Sequence, residues 1–196
     1  GLYQLFDPSF GNRDLEAETS AGADAGVDIV WPRAALEATA FAREVTNEIG
    51  FDPGRGRFGG YAQFGRTQAS GLELSGRIDL VRRLRLSQTL LVLDSKNADT
   101  GLWTGRARYS GSTSLSAQVG RWELAGRVRY RTRSDPSAFS PEVEGFATLD
   151  LLASYELSDR LELYGRIVNV ADEDYQLTYG ANAPDRGVFA GLRLRS

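Results

Sequence analysis

The 196-residue sequence contains no cysteine, no histidine and no methionine, and Lys96 is its only lysine. Without cysteine there is no disulfide, no thiolate nucleophile and no thiolate metal site. Without histidine no Ser–His or Cys–His pair can form, and no imidazole can bind a metal. Most hydrolase and metalloenzyme mechanisms fall away, so the chain is read as a non-enzyme without cofactor or metal. A net charge of −3, with no basic run interleaved with aromatics, argues against nucleic acid as a partner. No stretch approaches the ~20 apolar residues of a membrane helix. That leaves membrane β-strands open, because they hide their apolarity in alternation. The opening Gly1-Leu2-Tyr3 has no signal-peptide pattern, so any targeting signal is expected upstream and the chain is read as a fragment.

What the sequence does hold is period-two alternation. Leu72, Leu74, Gly76, Ile78 and Leu80 alternate with Glu73, Ser75, Arg77 and Asp79. Trp122, Leu124, Gly126, Val128 and Tyr130 alternate with Glu123, Ala125, Arg127 and Arg129. A helix would scatter each set around its axis, whereas a strand puts each on one face. Nine strands are predicted, at 19–31, 34–43, 58–80, 84–94, 107–118, 122–133, 146–157, 160–169 and 188–195, with residues 1–5 as the end of a tenth. The connections alternate long and short along the whole chain, with short ones at 32–33, 81–83, 119–121 and 158–159. The expected fold class is therefore all-β, an antiparallel up-and-down meander of nine or ten long strands forming part of a transmembrane barrel. Such barrels have tight periplasmic turns and longer extracellular loops. A Greek-key sandwich has no reason to keep that alternation.

Periodicity alone does not say whether the apolar face meets a core or lipid. Aromatics near strand ends, such as Trp31, Tyr130 and Tyr155, suit interfacial girdles, and the serine row Ser112, Ser114, Ser116 with Gln118 suits an aqueous lumen. An arginine facing lipid at mid-membrane costs roughly 2–4 kcal/mol, so Arg127 and Arg129 are expected to point inward. There they would pack against Glu73, Asp79, Glu123 and Asp150.

Four segments resemble the C-terminal barrel portion of the TonB-dependent outer-membrane receptors, the cobalamin and siderophore receptor type. They are Gly1-Leu2-Tyr3-Gln4-Leu5-Phe6 followed by Gly11-Asn12-Arg13-Asp14-Leu15-Glu16-Ala17-Glu18, with Glu16-Ala17 where the family has Lys-Pro, then Gly65 through Gly71-Leu72-Glu73-Leu74, then Asn169-Val170-Ala171-Asp172-Glu173-Asp174-Tyr175, and lastly Asn182-Ala183-Pro184-Asp185-Arg186. Asp185 stands where the family has glycine, and the chain closes on Arg195-Ser196 where most such strands end in an aromatic. The resemblance implies a barrel of about 22 strands filled by an N-terminal plug. It also implies TonB energy coupling through that plug, location in the Gram-negative outer membrane, and uptake of cobalamin or a ferric siderophore. Residues 1–196 would then be the C-terminal segment, with the plug and earlier strands outside it. The family-motif positions are Gly71, Glu73, Asn169, Asp174, Tyr175 and Arg186. Tyr3, Trp103, Tyr175 and Tyr179 are candidate ligand contacts by stacking, and each is equally suited to anchoring a loop. The loop carboxylates match no calcium motif and read as solvated turn residues. Two alternatives stay open. One is a self-contained small outer-membrane barrel, a passive pore or adhesin closed by ten strands; the other is a soluble carbohydrate-binding sandwich.

Overall fold

Alternating strands must pair to satisfy their backbones, and in this computed structural model, which describes residues 1–102, 104–137 and 140–194, they do so in sequence order. A short helix α1 (Leu2–Phe6) precedes β1 (Thr19–Trp31), β2 (Ala34–Thr46), β3 (Ile49–Asp52), β4 (Gly60–Gln63), β5 (Arg66–Val81) and β6 (Leu84–Asn97). Then come β7 (Tyr109–Val119), β8 (Trp122–Arg131), β9 (Phe146–Ser158), β10 (Leu161–Val168), β11 (Gln176–Thr178), β12 (Ala181–Asn182) and β13 (Gly187–Leu194). One sheet holds nine of them in the order β1-β2-β5-β6-β7-β8-β9-β10-β13, and each pairing inside it is antiparallel. The small pairs β3–β4 and β11–β12 stand apart in long loops.

The register gives the two faces different characters. One cross-strand row runs Trp31, Ala34, Ile78, Leu86, Leu115, Gly126, Leu151, Ile167, Val188 and is apolar across all nine strands. A row on the other face runs Asp28, Glu37, Ser75, Thr89, Ser112, Arg129, Thr148 and is polar throughout. The apolar row starts beside the short turn after β1 and ends at the long-loop end of β13. That stagger is the shear that tilted barrel strands require.

Among the described residues no second layer packs on the apolar face. Trp31, Ile78, Leu115, Leu151 and Leu192 are exposed, and Val143 in a loop is the only buried hydrophobic side chain among the described residues. The buried side chains are polar instead: Thr67, Ser95, Thr148, Ser154 and Glu162 all lie on the opposite face. Side chains converge on the concave side of a curved sheet and splay on the convex side, so the polar face is the concave one. Arg127 and Arg129 fall on it, as expected from the cost of exposing them to lipid. An uncovered apolar face of this extent is untenable in water and suited to hydrocarbon. The soluble-sandwich alternative, which needs a second layer on those rows, is overturned.

Three strand expectations are corrected. Residues 1–5 are not a strand: Leu2–Phe6 is helical, and the Asp7 amide donates to the Tyr3 carbonyl at 3.0 Å. The 58–80 strand is two strands, β4 and β5, broken at Phe64-Gly65 where Gly65 takes φ +74°. The 44–57 loop begins inside β2 and contains β3. With nine strands rather than ten, β1 and β13 lie at opposite edges and do not pair, so the ten-strand closed barrel is not formed by the described residues.

Candidate functional site

The sheet has two ends of different character. At one, the turns Pro32-Arg33, Arg82-Arg83, Gly120-Arg121 and Asp159-Arg160 are two residues long. Each of the first three hydrogen-bonds the next hairpin. The carbonyls of Arg33, Arg83 and Arg121 accept the amides of Asp79, Gln118 and Glu156 at 2.8, 2.9 and 3.0 Å. At the other end the long loops gather, and they hold the candidate recognition surface.

The first layer of that surface is residues 1–12 laid on the β3–β4 hairpin. Asn12 is buried; its amide nitrogen Nδ2 donates to the Tyr61 carbonyl at 3.1 Å, and the Tyr61 amide donates to the Phe10 carbonyl at 2.9 Å. Tyr3 meets Tyr61 edge-on at 6.1 Å, and Phe51 bridges Phe10 and Tyr61 at 5.8 and 5.9 Å. Asp7 caps the turn after α1, accepting the amides of Phe10 at 2.8 Å and Ser9 at 2.9 Å. The Phe10 amide above all, then Ser9 and the Tyr3 hydroxyl, hold the Asp7 carboxyl below its ordinary value against partial desolvation. Its contribution is therefore complete above the ordinary 3.8 and is lost as pH falls through the lower folded value. Protection of the Ser9 and Phe10 amides from hydrogen exchange, measured against the intrinsic rate at each pH, should fall on acidification through that window, and Asp7→Asn should show the lowered protection at neutral pH. Unchanged Ser9 and Phe10 protection in the variant would refute this role.

The second layer is the last long loop, whose base is clasped. Asn169 is 2% exposed at φ +51°, and both ends of its amide bond Glu173, each at 2.9 Å. Asp172, at φ +59°, accepts the Arg186 amide at 2.8 Å and its guanidinium at 3.2 Å. Asn is among the few side chains tolerated in the left-handed region, which accounts for Asn169. Asp174 is exposed and makes no side-chain bond among the described residues; Asp172, two residues earlier in the same motif, holds Arg186. Beyond the clasp, Tyr175 stacks on Phe146 at 4.2 Å, and Arg131 lies over the same ring at 5.2 Å. The Arg131 guanidinium donates to the carbonyls of Leu177 at 2.7 Å and Gln176 at 2.9 Å. It thereby ties the β11–β12 hairpin back to the wall. No spacing signal marks Arg131, because its partners are backbone oxygens.

Of the candidate ligand contacts, Tyr3 sits in the first layer, Tyr175 in the second against Phe146, and Tyr179 stands exposed in the turn of the β11–β12 hairpin. Trp103 lies outside the described residues. Between the loops is a cleft of about 410 Å³ lined in part by Glu48, Ile49, Phe64, Asn97, Leu102 and Thr104. Its mixed lining and size are those of a small-molecule site. Sequence reasoning missed it, because its walls come from separate loops. On the concave wall, Arg85 pairs with Asp79 at 2.7 Å and Arg129 with Asp150 at 3.4 Å. No ion pair is seen for Glu73 or Glu123 among the described residues. Gly71 faces Phe41 across the strand pair, with the ring laid over it.

An apolar convex face, a polar concave wall, tight turns at one end and folded loops at the other define a segment of an outer-membrane β-barrel wall. The sequence matches the family described as TonB dependent receptor-like, beta-barrel over residues 1–170, and the chain belongs to that family. It is accordingly an outer-membrane receptor segment of a Gram-negative bacterium, not an enzyme. The chain is 29% identical over 86 residues to a vitamin B12 transporter of Photobacterium profundum, covering 43% of the chain and 14% of that protein. It is 20% identical over 196 residues to a vitamin B12 transporter of Vibrio cholerae, covering 97% of this chain and 32% of that protein. In fold it resembles the copper transporter OprC, with TM-score 0.82, 15% identity and coverage of 98% of this chain and 34% of that one. It also resembles a ferric enterobactin receptor of Pseudomonas aeruginosa, with TM-score 0.78, 20% identity and coverage of 94% and 32%. The chain thus spans at most about a third of the length of these relatives.

Proposed function

We propose that this chain is the C-terminal wall and loop cluster of an active-uptake receptor for a large, scarce nutrient of the cobalamin type. A plug and further strands elsewhere in the protein would complete it, and TonB would couple inner-membrane energy to release of the substrate. The uncovered apolar convex face set against a polar concave wall carries the reading, because it calls for hydrocarbon outside and an aqueous space within. The relatives matched over 86 and 196 residues are named vitamin B12 transporters, which favours a corrinoid over a siderophore.

Charge supports the same choice. In the long loops, at 1–18, 47–65, 98–108, 132–145 and 169–186, carboxylates outnumber arginines two to one. A surface of that sign repels a polyanionic iron chelate and leaves a neutral corrinoid unaffected. The test is equilibrium binding of cyanocobalamin and of a ferric triscatecholate to the purified whole receptor. Cyanocobalamin should bind with little dependence on salt, and the ferric chelate weakly. Tight binding of the ferric chelate without binding of cyanocobalamin would replace the corrinoid reading with a siderophore one.

A further inference from the structure

The turns at the short-turn end carry an excess of positive charge. Its turns hold Arg33, Arg82, Arg83, Arg121 and Arg160 against a single carboxylate, Asp159, whereas the long-loop end is acidic. Two of these arginines have structural partners: Arg33 donates to the carbonyls of Asp79 and Leu80 at 2.7 and 2.8 Å, and Arg121 to that of Leu157 at 3.3 Å. Arg82, Arg83 and Arg160 are exposed, and their guanidiniums make no bond among the described residues. Packing does not account for them.

The backbone adds a second observation. The turn after β7 places Gly120 in the left-handed region, at φ +62°, where glycine is unstrained. In the turn after β5 the residue in this region is the second one, Arg83, at φ +70°. A cation is kept at a position where a side chain is disfavoured, and strain of this kind collects where a side chain has a use. Next to the arginines lie aromatics of the convex face. Trp31 directly precedes Pro32-Arg33, Trp122 directly follows Gly120-Arg121, and Trp122 contacts Tyr155 at 4.8 Å. Aromatic rings on a lipid-facing surface settle at headgroup depth. The neighbouring guanidiniums are then at the level of lipid phosphates, for which their donor geometry is suited.

We propose that the arginine-bearing short-turn rim is a docking surface for anionic phospholipid headgroups of the periplasmic leaflet, with Arg82, Arg83 and Arg160 as its free donors. The inference rests on the membrane placement of the sheet and is independent of which nutrient the receptor imports. The apolar band sets the depth of insertion, and the rim selects the headgroup that meets it. Each basic residue near an anionic leaflet contributes attraction that salt screens within a Debye length.

The test uses the whole receptor, purified in neutral detergent and analysed by native mass spectrometry in an equal mixture of phosphatidylglycerol and phosphatidylethanolamine with matched acyl chains. The wild type should retain phosphatidylglycerol preferentially. R82Q/R83Q/R160Q should reduce that preference about tenfold, while R55Q/R57Q at the opposite end should leave it intact. Retained heat-modifiable migration on gels would show that the triple variant is folded. Equal retention of both lipids by the wild type, or a preference that survives the triple substitution, would overturn the proposal. Arginine-dependent binding of poly-glutamate without any lipid preference would overturn it too, in favour of an acidic protein partner.

Discussion

Leu151→Arg is expected to destabilise the barrel in a bilayer by roughly 2–4 kcal/mol, the cost of an arginine facing lipid near the midplane. Leu151 lies on the convex face, in mid-strand among the outward residues Ala147, Leu149, Ala153 and Tyr155 of β9. It belongs to the one row that is apolar across all nine strands. The matched control is Ser112→Arg. Ser112 lies in the polar row, paired with Thr89 and Arg129, and its hydroxyl is 3.0 Å from that of Thr89. An arginine there enters water and costs only its repulsion from Arg129. Urea titration of the whole receptor folded in lipid vesicles measures both. Equal losses in the two variants would mean that the convex face does not meet hydrocarbon, and the membrane reading would fail with it.

Gly111→Val is expected to cost at least 1–3 kcal/mol, the range for overpacking, and to disturb the β6–β7 pairing. A Cβ on Gly111 would stand 2.2 Å from the Thr89 carbonyl oxygen and 2.7 Å from the Tyr130 hydroxyl. Tyr130, directly opposite, lays its ring over the glycine, while the Gln88 side chain donates to its hydroxyl at 2.8 Å. The same device recurs on the concave face, with Phe41 over Gly71 and Tyr164 over Gly191. In each, an aromatic ring covers the backbone that a glycine leaves bare. Gly76→Ala is the control, because its Cβ would come no nearer than 3.6 Å to any neighbour. The two substitutions should separate in the midpoint of urea unfolding. If Gly111→Val is as mild as Gly76→Ala, the aromatic cover does not depend on glycine.

Tyr130 shows where sequence reading succeeds and stops. Its side of the strand was legible from period two, as were the nine spanning strands, because a face exposed to one solvent imposes a regular pattern. Its hydrogen bond to Gln88, from a strand more than 40 residues away, follows from register, which a single sequence does not encode. Residues 1–5 misled for a related reason. Tyr and Phe favour strands, yet no neighbour strand is available among the described residues, and the local Asp7–Tyr3 bond with the Tyr61 contact favours a helical turn. The four-residue strands β3 and β4 are too short for periodicity to register among Gly, Pro and Asp. Motif positions in the last loop were legible as positions, but the choice of Asp172 over Asp174 depended on which backbone amide Arg186 presents. The cleft at Glu48 and Leu102 is assembled from loops whose mutual placement leaves no trace in spacing.

The stitched turns bear on how the wall comes into being. Every spanning strand adjoins the spanning strands nearest to it in the chain, and the turn carbonyls of Arg33, Arg83 and Arg121 each secure the hairpin that comes next. Closure entropy is thus spent in small instalments, since few contacts in the wall must wait for a distant partner. Such a sheet can grow outward from any finished pair, one hairpin at a time, each new ribbon meeting an edge already shaped to receive it.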